Sequence, residues 1–241
     1  MNLILCEYKK LKRNRIFKFI LFSSILFPIP LSLISFHSNL PLYKLNMFIF
    51  IFGIYLLLPI FTGLLFSTAI FEERNSKTLK NIITIPVRKN VLLLSKIFVV
   101  LTFGILFSIL SFAIPILMEI FKGNIDKNLI FYTLLKASTL GLMVSTSVIP
   151  ILIILIKMKT NYLLAFIINL FYTAINFVIS LQYNSIPLPQ SVIFKWSLPY
   201  ISSGPNKIIS SFYSTPSCLG ILTITTILSC YISIKIFERE E

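Results

Sequence analysis

Acidic residues are scarce in this sequence. There are eight among 241 positions: Glu7, Glu72, Glu73, Glu119, Asp126, Glu238, Glu240 and Glu241. All of them lie outside the long apolar runs, so the usual mark of a proton- or ion-coupled transporter, a carboxylate at mid-membrane, is missing. The single histidine, His37, leaves no set of ligands for a metal site. The three cysteines, Cys6, Cys218 and Cys230, form no CxxC and read as small buried hydrophobes. No GxxxxGK[ST] occurs, so this chain has no P-loop, and any active transport must draw its energy from a partner. Charged residues make up 12% of the chain, about half the 25% usual for a soluble domain.

Hydrophobic residues fill that space, at 56% of the chain with a mean hydropathy of +0.91. One globular core has no room for so much apolar surface, so lipid must cover part of it. Uncharged runs occupy 19–36, 47–71, 97–118, 137–156, 162–181 and 218–234. Each is close to the roughly 20 residues that cross about 30 Å of hydrocarbon as a helix. The run 47–71 carries 16 Leu, Ile, Phe or Val residues, worth roughly −5 to −10 kcal/mol towards insertion. The first run is read as a span and not a signal peptide, because His37-Ser38-Asn39 after it is no small-x-small cleavage site.

Basic residues orient the spans. One side holds Lys9, Lys10, Lys12, Arg13, Arg15 and Lys18, then Arg74, Lys77, Lys80, Arg88, Lys89 and Lys96, then Lys157, Lys159, Lys235 and Arg239. The other side holds only Lys44, Lys122, Lys127, Lys136, Lys195 and Lys207. The richer side is cytoplasmic. We therefore expect an all-α integral membrane protein of a bacterial-type cell membrane, with six transmembrane helices and both termini cytoplasmic. The net charge of +14 is explained by basic residues flanking spans, where they meet anionic lipid. No basic folded module is present to bind nucleic acid.

Two cytoplasmic segments carry more than topology. In the first, Ile4, Tyr8 and Leu11 recur at i, i+4 and i+7 among lysines, as in a short amphipathic helix along the inner membrane surface. In the second, Asn75 or Ser76 can cap a helix, and Leu79, Ile82 and Ile83 share one face of it. Pro86 ends that helix, which suits a lipid surface or a groove on another protein. Glu72-Glu73 resembles the paired glutamates of intramembrane CAAX-type proteases. Those enzymes also need histidines in later membrane helices, and none follows here.

The connection between the second and third spans resembles that of ABC-2 type permeases. The matching residues are Glu73 closing the second span, then Thr78-Leu79-Lys80, Pro86-Val87, Arg88, and Lys96 entering the third. Glu7, Lys10 and Lys12 match the Glu-x-x-Lys-x-Lys of that family's N-terminal elbow helix. The resemblance implies an elbow helix at 1–16, spans at 17–36, 47–71, 91–118, 131–156, 161–181 and 217–237, and a coupling helix at 75–86. It also implies re-entrant helices in the outer segment 182–216, which has five prolines yet is too apolar for a solvated linker. The ATPase-coupling residues would be Glu73, Thr78, Leu79, Lys80, Ile82, Ile83 and Pro86. Two ATPase subunits carrying ATP and magnesium would dock beneath a pair of permeases, identical or paralogous, and this chain would bind no cofactor itself. Length and general character are most like bacitracin-export and lantibiotic-immunity permeases, with an amphipathic peptide, antibiotic or lipid-like cargo. The alternative is a membrane immunity or regulatory protein that sequesters a peptide without transport.

Within the spans, Asn169, Tyr172, Thr173, Asn176 and Ser180 fall on one face of the fifth helix. Lipid solvates asparagine poorly, so this face points either at other helices or into a substrate path.

Overall fold

A computed structural model describes residues 2–38, 42–75, 89–121, 127–157, 162–182, 186–202 and 213–239. Nearly all of them are helical, and no strand occurs among them. Six helical stretches are long and apolar enough to cross a membrane: Arg15–His37, Tyr43–Phe71, Asn90–Phe121, Ile130–Lys157, Leu163–Gln182 and Thr215–Ile236. They correspond to the six apolar runs and are called the first to sixth spans below.

A short helix, Asn2–Arg13, precedes the first span. Asn14 separates the two with an extended backbone, and its side chain accepts from the Ile16 amide at 2.9 Å. This is ordinary N-capping, in which a side-chain oxygen satisfies one of the free amides of a helix start.

Proline interrupts several spans, each time for the same reason. It lacks the N–H that the ladder needs. The first span is broken at Phe27, before Pro28, but Phe27 keeps helical angles and the direction holds. The second span opens with Leu42–Phe48, widens into a π-helix over Ile49–Leu57, and continues as Leu58–Asn75. The Leu58 amide reaches back five residues to the Gly53 carbonyl, immediately before Pro59. The fourth span was expected to be one helix over 131–156. It consists of two, Lys127–Thr146 and Ile149–Lys157, with Pro150 in the second. The third helix, Lys89–Phe121, has 33 residues and is about 50 Å long at 1.5 Å per residue. It therefore runs past the expected 91–118 at both ends.

The third and fourth spans pack closely. Ser108 Oγ donates to the Ala137 carbonyl at 2.7 Å. A Cβ at Gly141 would overlap Ser108 Oγ and stand 2.6 Å from the Gly104 carbonyl oxygen. Small residues here allow two backbones to approach as they do in other membrane helix pairs.

The core is built on the second and third spans, with the outer segment packed against the second. Tyr55, Phe50, Phe103 and Phe107 are buried completely or nearly so. The outer helix, Pro189–Ser202, places Phe194 4.6 Å from the Tyr55 ring and 6.0 Å from the Phe50 ring. Both partners belong to the second span, so the outer helix sits alongside membrane-spanning residues. On the outside of the bundle, Phe19, Phe98, Phe171 and Ile227 are at least half exposed, as lipid-facing side chains are.

Candidate functional site

Of the expected coupling residues, Thr78, Leu79, Lys80, Ile82, Ile83 and Pro86 lie outside the described residues. Glu73 falls in the last turn of Leu58–Asn75. The flanking helices frame the connection, since one ends at Asn75 and the next begins at Lys89.

Just inside that frame is a buried ion pair. Lys96 Nζ stands 3.2 Å from Glu7 Oε2, and the two side chains are 6% and 7% exposed. The same ammonium donates to the Ala69 carbonyl of the second span at 3.1 Å. The other Glu7 oxygen accepts from Lys10 at 3.2 Å, and that lysine is half exposed. One cation thus joins the N-terminal helix, the second span and the third. Breaking a buried ion pair costs about 3–5 kcal/mol when no other partner is at hand, and less where, as here, Lys10 also pairs with Glu7.

Further along the same face, the Tyr8 hydroxyl bonds to Thr102 Oγ1 and Leu11 is buried. The apolar stripe of the N-terminal helix is therefore spent on the third span. The sequence pattern suggested a stripe lying on lipid, and the difference arises because an i, i+4, i+7 stripe fits a neighbouring helix equally well. Lys9, Lys10, Lys12 and Arg13 occupy the exposed side.

The polar stripe of the fifth span turns inward. Asn169, Thr173, Asn176 and Ser180 are each at most 5% exposed, while Phe171, Ile175 and Val178 face out. Asn169 Nδ2 donates to the Ile60 carbonyl at 2.9 Å and to that of Pro59 at 3.3 Å. Gly63 makes the approach possible, because a Cβ there would collide with the Asn169 amide. The Tyr172 hydroxyl donates to the Ser147 carbonyl at 3.0 Å. That carbonyl lies at the break in the fourth span, where the Ile151 amide bonds to Val148 instead. Asn176 Nδ2 donates to the Tyr172 carbonyl at 2.8 Å. Thr173 and Ser180 donate within their own helix, to the Leu170 and Phe177 carbonyls. The stripe thus meets the second span beside Pro59 and the fourth span at its break.

The sequence pattern of the ABC-2 family transporter proteins matches residues 3–176. The chain belongs to that family. It is therefore a membrane permease subunit of the ABC-2 type, and a multi-pass protein of the cell membrane. No curated protein matches it. The matched region takes in both Glu7 and Lys96 and runs into the polar stripe. The outer helix and the sixth span lie beyond it.

Gln190 is a residue of this permease that sequence reasoning missed. It is fully buried at the start of the outer helix, and its Nε2 donates to the Tyr55 carbonyl at 2.9 Å. Pro59 has no amide to offer that carbonyl, so Gln190 supplies one from outside. The available signal was a lone amide beside Pro189 in an otherwise apolar segment. Lys195, on the same helix, is 3% exposed, and burial holds its ammonium below the ordinary lysine range. The Glu7–Lys96 contact was also missed, since its residues are 89 positions apart. Its signal was Lys96 itself, a cation bordering an apolar run with no acid nearby in sequence.

Proposed function

We propose that this permease is the membrane half of an ATP-driven exporter. Two ATPase subunits dock beneath a pair of permeases, with ATP and magnesium held on the ATPases. Residues 75–86 receive their motion, with Glu73, Thr78, Leu79, Lys80, Ile82, Ile83 and Pro86 as the coupling residues. The supporting observation is the Lys96 ammonium. It joins three elements at the inner end of the bundle, directly behind the connection that would be pushed. A permease that only sequesters a ligand has no need of a fixed frame there.

The cargo is amphipathic: a membrane-active peptide, an antibiotic or a lipid-like compound, as in immunity or resistance. What supports this is the character of the helices. Their surfaces are apolar and aromatic, and the fifth-span stripe spends its donors on protein carbonyls. Such a bundle suits a cargo entering from the bilayer better than a charged solute.

The test is recovery of the permease from native membranes in mild detergent. A P-loop ATPase accompanies it, and Leu79→Asp loses the ATPase while leaving membrane insertion unchanged. An intact protein that brings down no ATPase, and that protects cells without ATP hydrolysis, would refute export.

A further inference from the structure

Glu7 and Lys96 are not explained by stability alone. A buried ion pair is usually no more stabilising than apolar side chains of the same volume. Its distinctive property is geometric, since two charges that meet hold their elements in one register. Here the pair meets at 3.2 Å with both side chains nearly inaccessible. Lys96 spends a further donor on the Ala69 carbonyl, which fixes the second span against the third.

The position of this contact matters. Ala69 lies six residues before Asn75, and Lys96 lies seven after Lys89. At 1.5 Å per residue, the contact stands about 10 Å from each end of the 76–88 connection. Glu7 adds the N-terminal helix, which is tied closely to the first span. The Asn14 amide donates to the Leu11 carbonyl at 2.9 Å, and Asn14 caps the first-span helix. Through the chain alone, 76–88 reaches the first span only by way of the whole second span. Across the third span the path is shorter: Phe17 of the first span packs on Phe103 at 5.4 Å, and the ion pair adds a polar tie nearer the connection.

We propose that Glu7 and Lys96 are positioning residues for energy coupling: a latch that carries displacement of the 76–88 connection into the first span. The proposal rests on the ATP-driven reading above.

The test uses the permease with its copurified ATPase, with the native cysteines replaced by alanine. Spin labels are placed at Leu33→Cys and Phe121→Cys, which are exposed towards the outer ends of the first and third spans. In the parent complex, ATP with vanadate changes the distance between the labels. Glu7→Gln and Lys96→Met keep the ATPase bound and hydrolysis within about twofold, but reduce the distance change at least fivefold. Lys96→Arg, with donors for both partners, recovers it. Lys9→Met, which removes an exposed charge from the same helix, leaves it intact. A parent-like distance change in Glu7→Gln or Lys96→Met would overturn the latch, as would an equal loss in Lys9→Met. If the parent binds no ATPase, the ATP-driven reading fails, and the latch is judged on the permease alone. A label on the native, exposed Cys6 then becomes more mobile in Glu7→Gln and Lys96→Met but not in Lys9→Met. Unchanged mobility in the first two would overturn it.

Discussion

Asn169 and Gly63 show how tightly single residues are matched here. The amide of Asn169 reaches the Pro59 and Ile60 carbonyls only because position 63 lacks a side chain. Gly63→Ala should therefore destabilise by about 1–3 kcal/mol, as overpacking does. Asn169→Ala should cost about 0.6 kcal/mol and at most about 1.7 kcal/mol, the average and the maximum found for hydrogen bonds between membrane helices. In the double variant the new methyl occupies the space the amide leaves, so the combined loss falls short of the sum by more than about 0.5 kcal/mol. Unfolding of the four proteins in mixed micelles measures this. Gly220→Ala, where an added Cβ meets nothing within 4 Å, is the neutral comparison. Additive losses at 63 and 169 would mean that the two residues do not share this space.

At the scale of elements, the second span is the unusual one. It combines a π-helical stretch with Pro59, and the broken ladder is repaired from outside by Gln190. Single π turns recur at functional sites, and a span without its full ladder is easier to bend. Gln190→Leu removes the surrogate donor and should lower unfolding free energy by about 1 kcal/mol. Pro59→Ala restores an amide to the helix and should reduce the effect of Gln190→Leu by at least half. An undiminished effect would separate Gln190 from the proline. The fourth span has the same arrangement, with Tyr172 covering the Ser147 carbonyl. Tyr172→Phe is accordingly destabilising, by a similar amount in the same assay.

These elements also show which features a sequence reveals. Lipid forces every spanning segment to be long, apolar and uncharged, so the six spans are legible one by one. The face shared by Asn169, Thr173 and Asn176 is legible too, because helical periodicity is local. What stayed hidden depends on contacts between segments. Glu7 and Lys96 carry the family resemblance separately, yet nothing in either neighbourhood announces the other. The π-helix has no propensity signature, and only the packing of the outer helix reveals Gln190 as the partner of Tyr55. The direction of the N-terminal stripe, towards protein and not lipid, was ambiguous for the same reason.

At the scale of the whole molecule, the basic residues put both termini and the 76–88 connection on one side. Cys6, which the sequence suggested is buried, is exposed and should react with a membrane-impermeant maleimide only in inverted vesicles. Ser217→Cys, exposed at the start of the sixth span, should react only on intact cells. Labelling of both from the same side would contradict the six-span topology.

The account as a whole depends on where the energy enters. The most direct measurement is a cross-link from the connection itself. Cysteines are placed singly at Leu79, Ile82 and Ile83, and inverted membrane vesicles from native cells are treated with a short bifunctional reagent. The account predicts an adduct with a P-loop ATPase from at least two of the three positions, and none from Ser217→Cys. If all three positions are reactive yet none yields an ATPase adduct, the connection is not the site of coupling and the account is wrong.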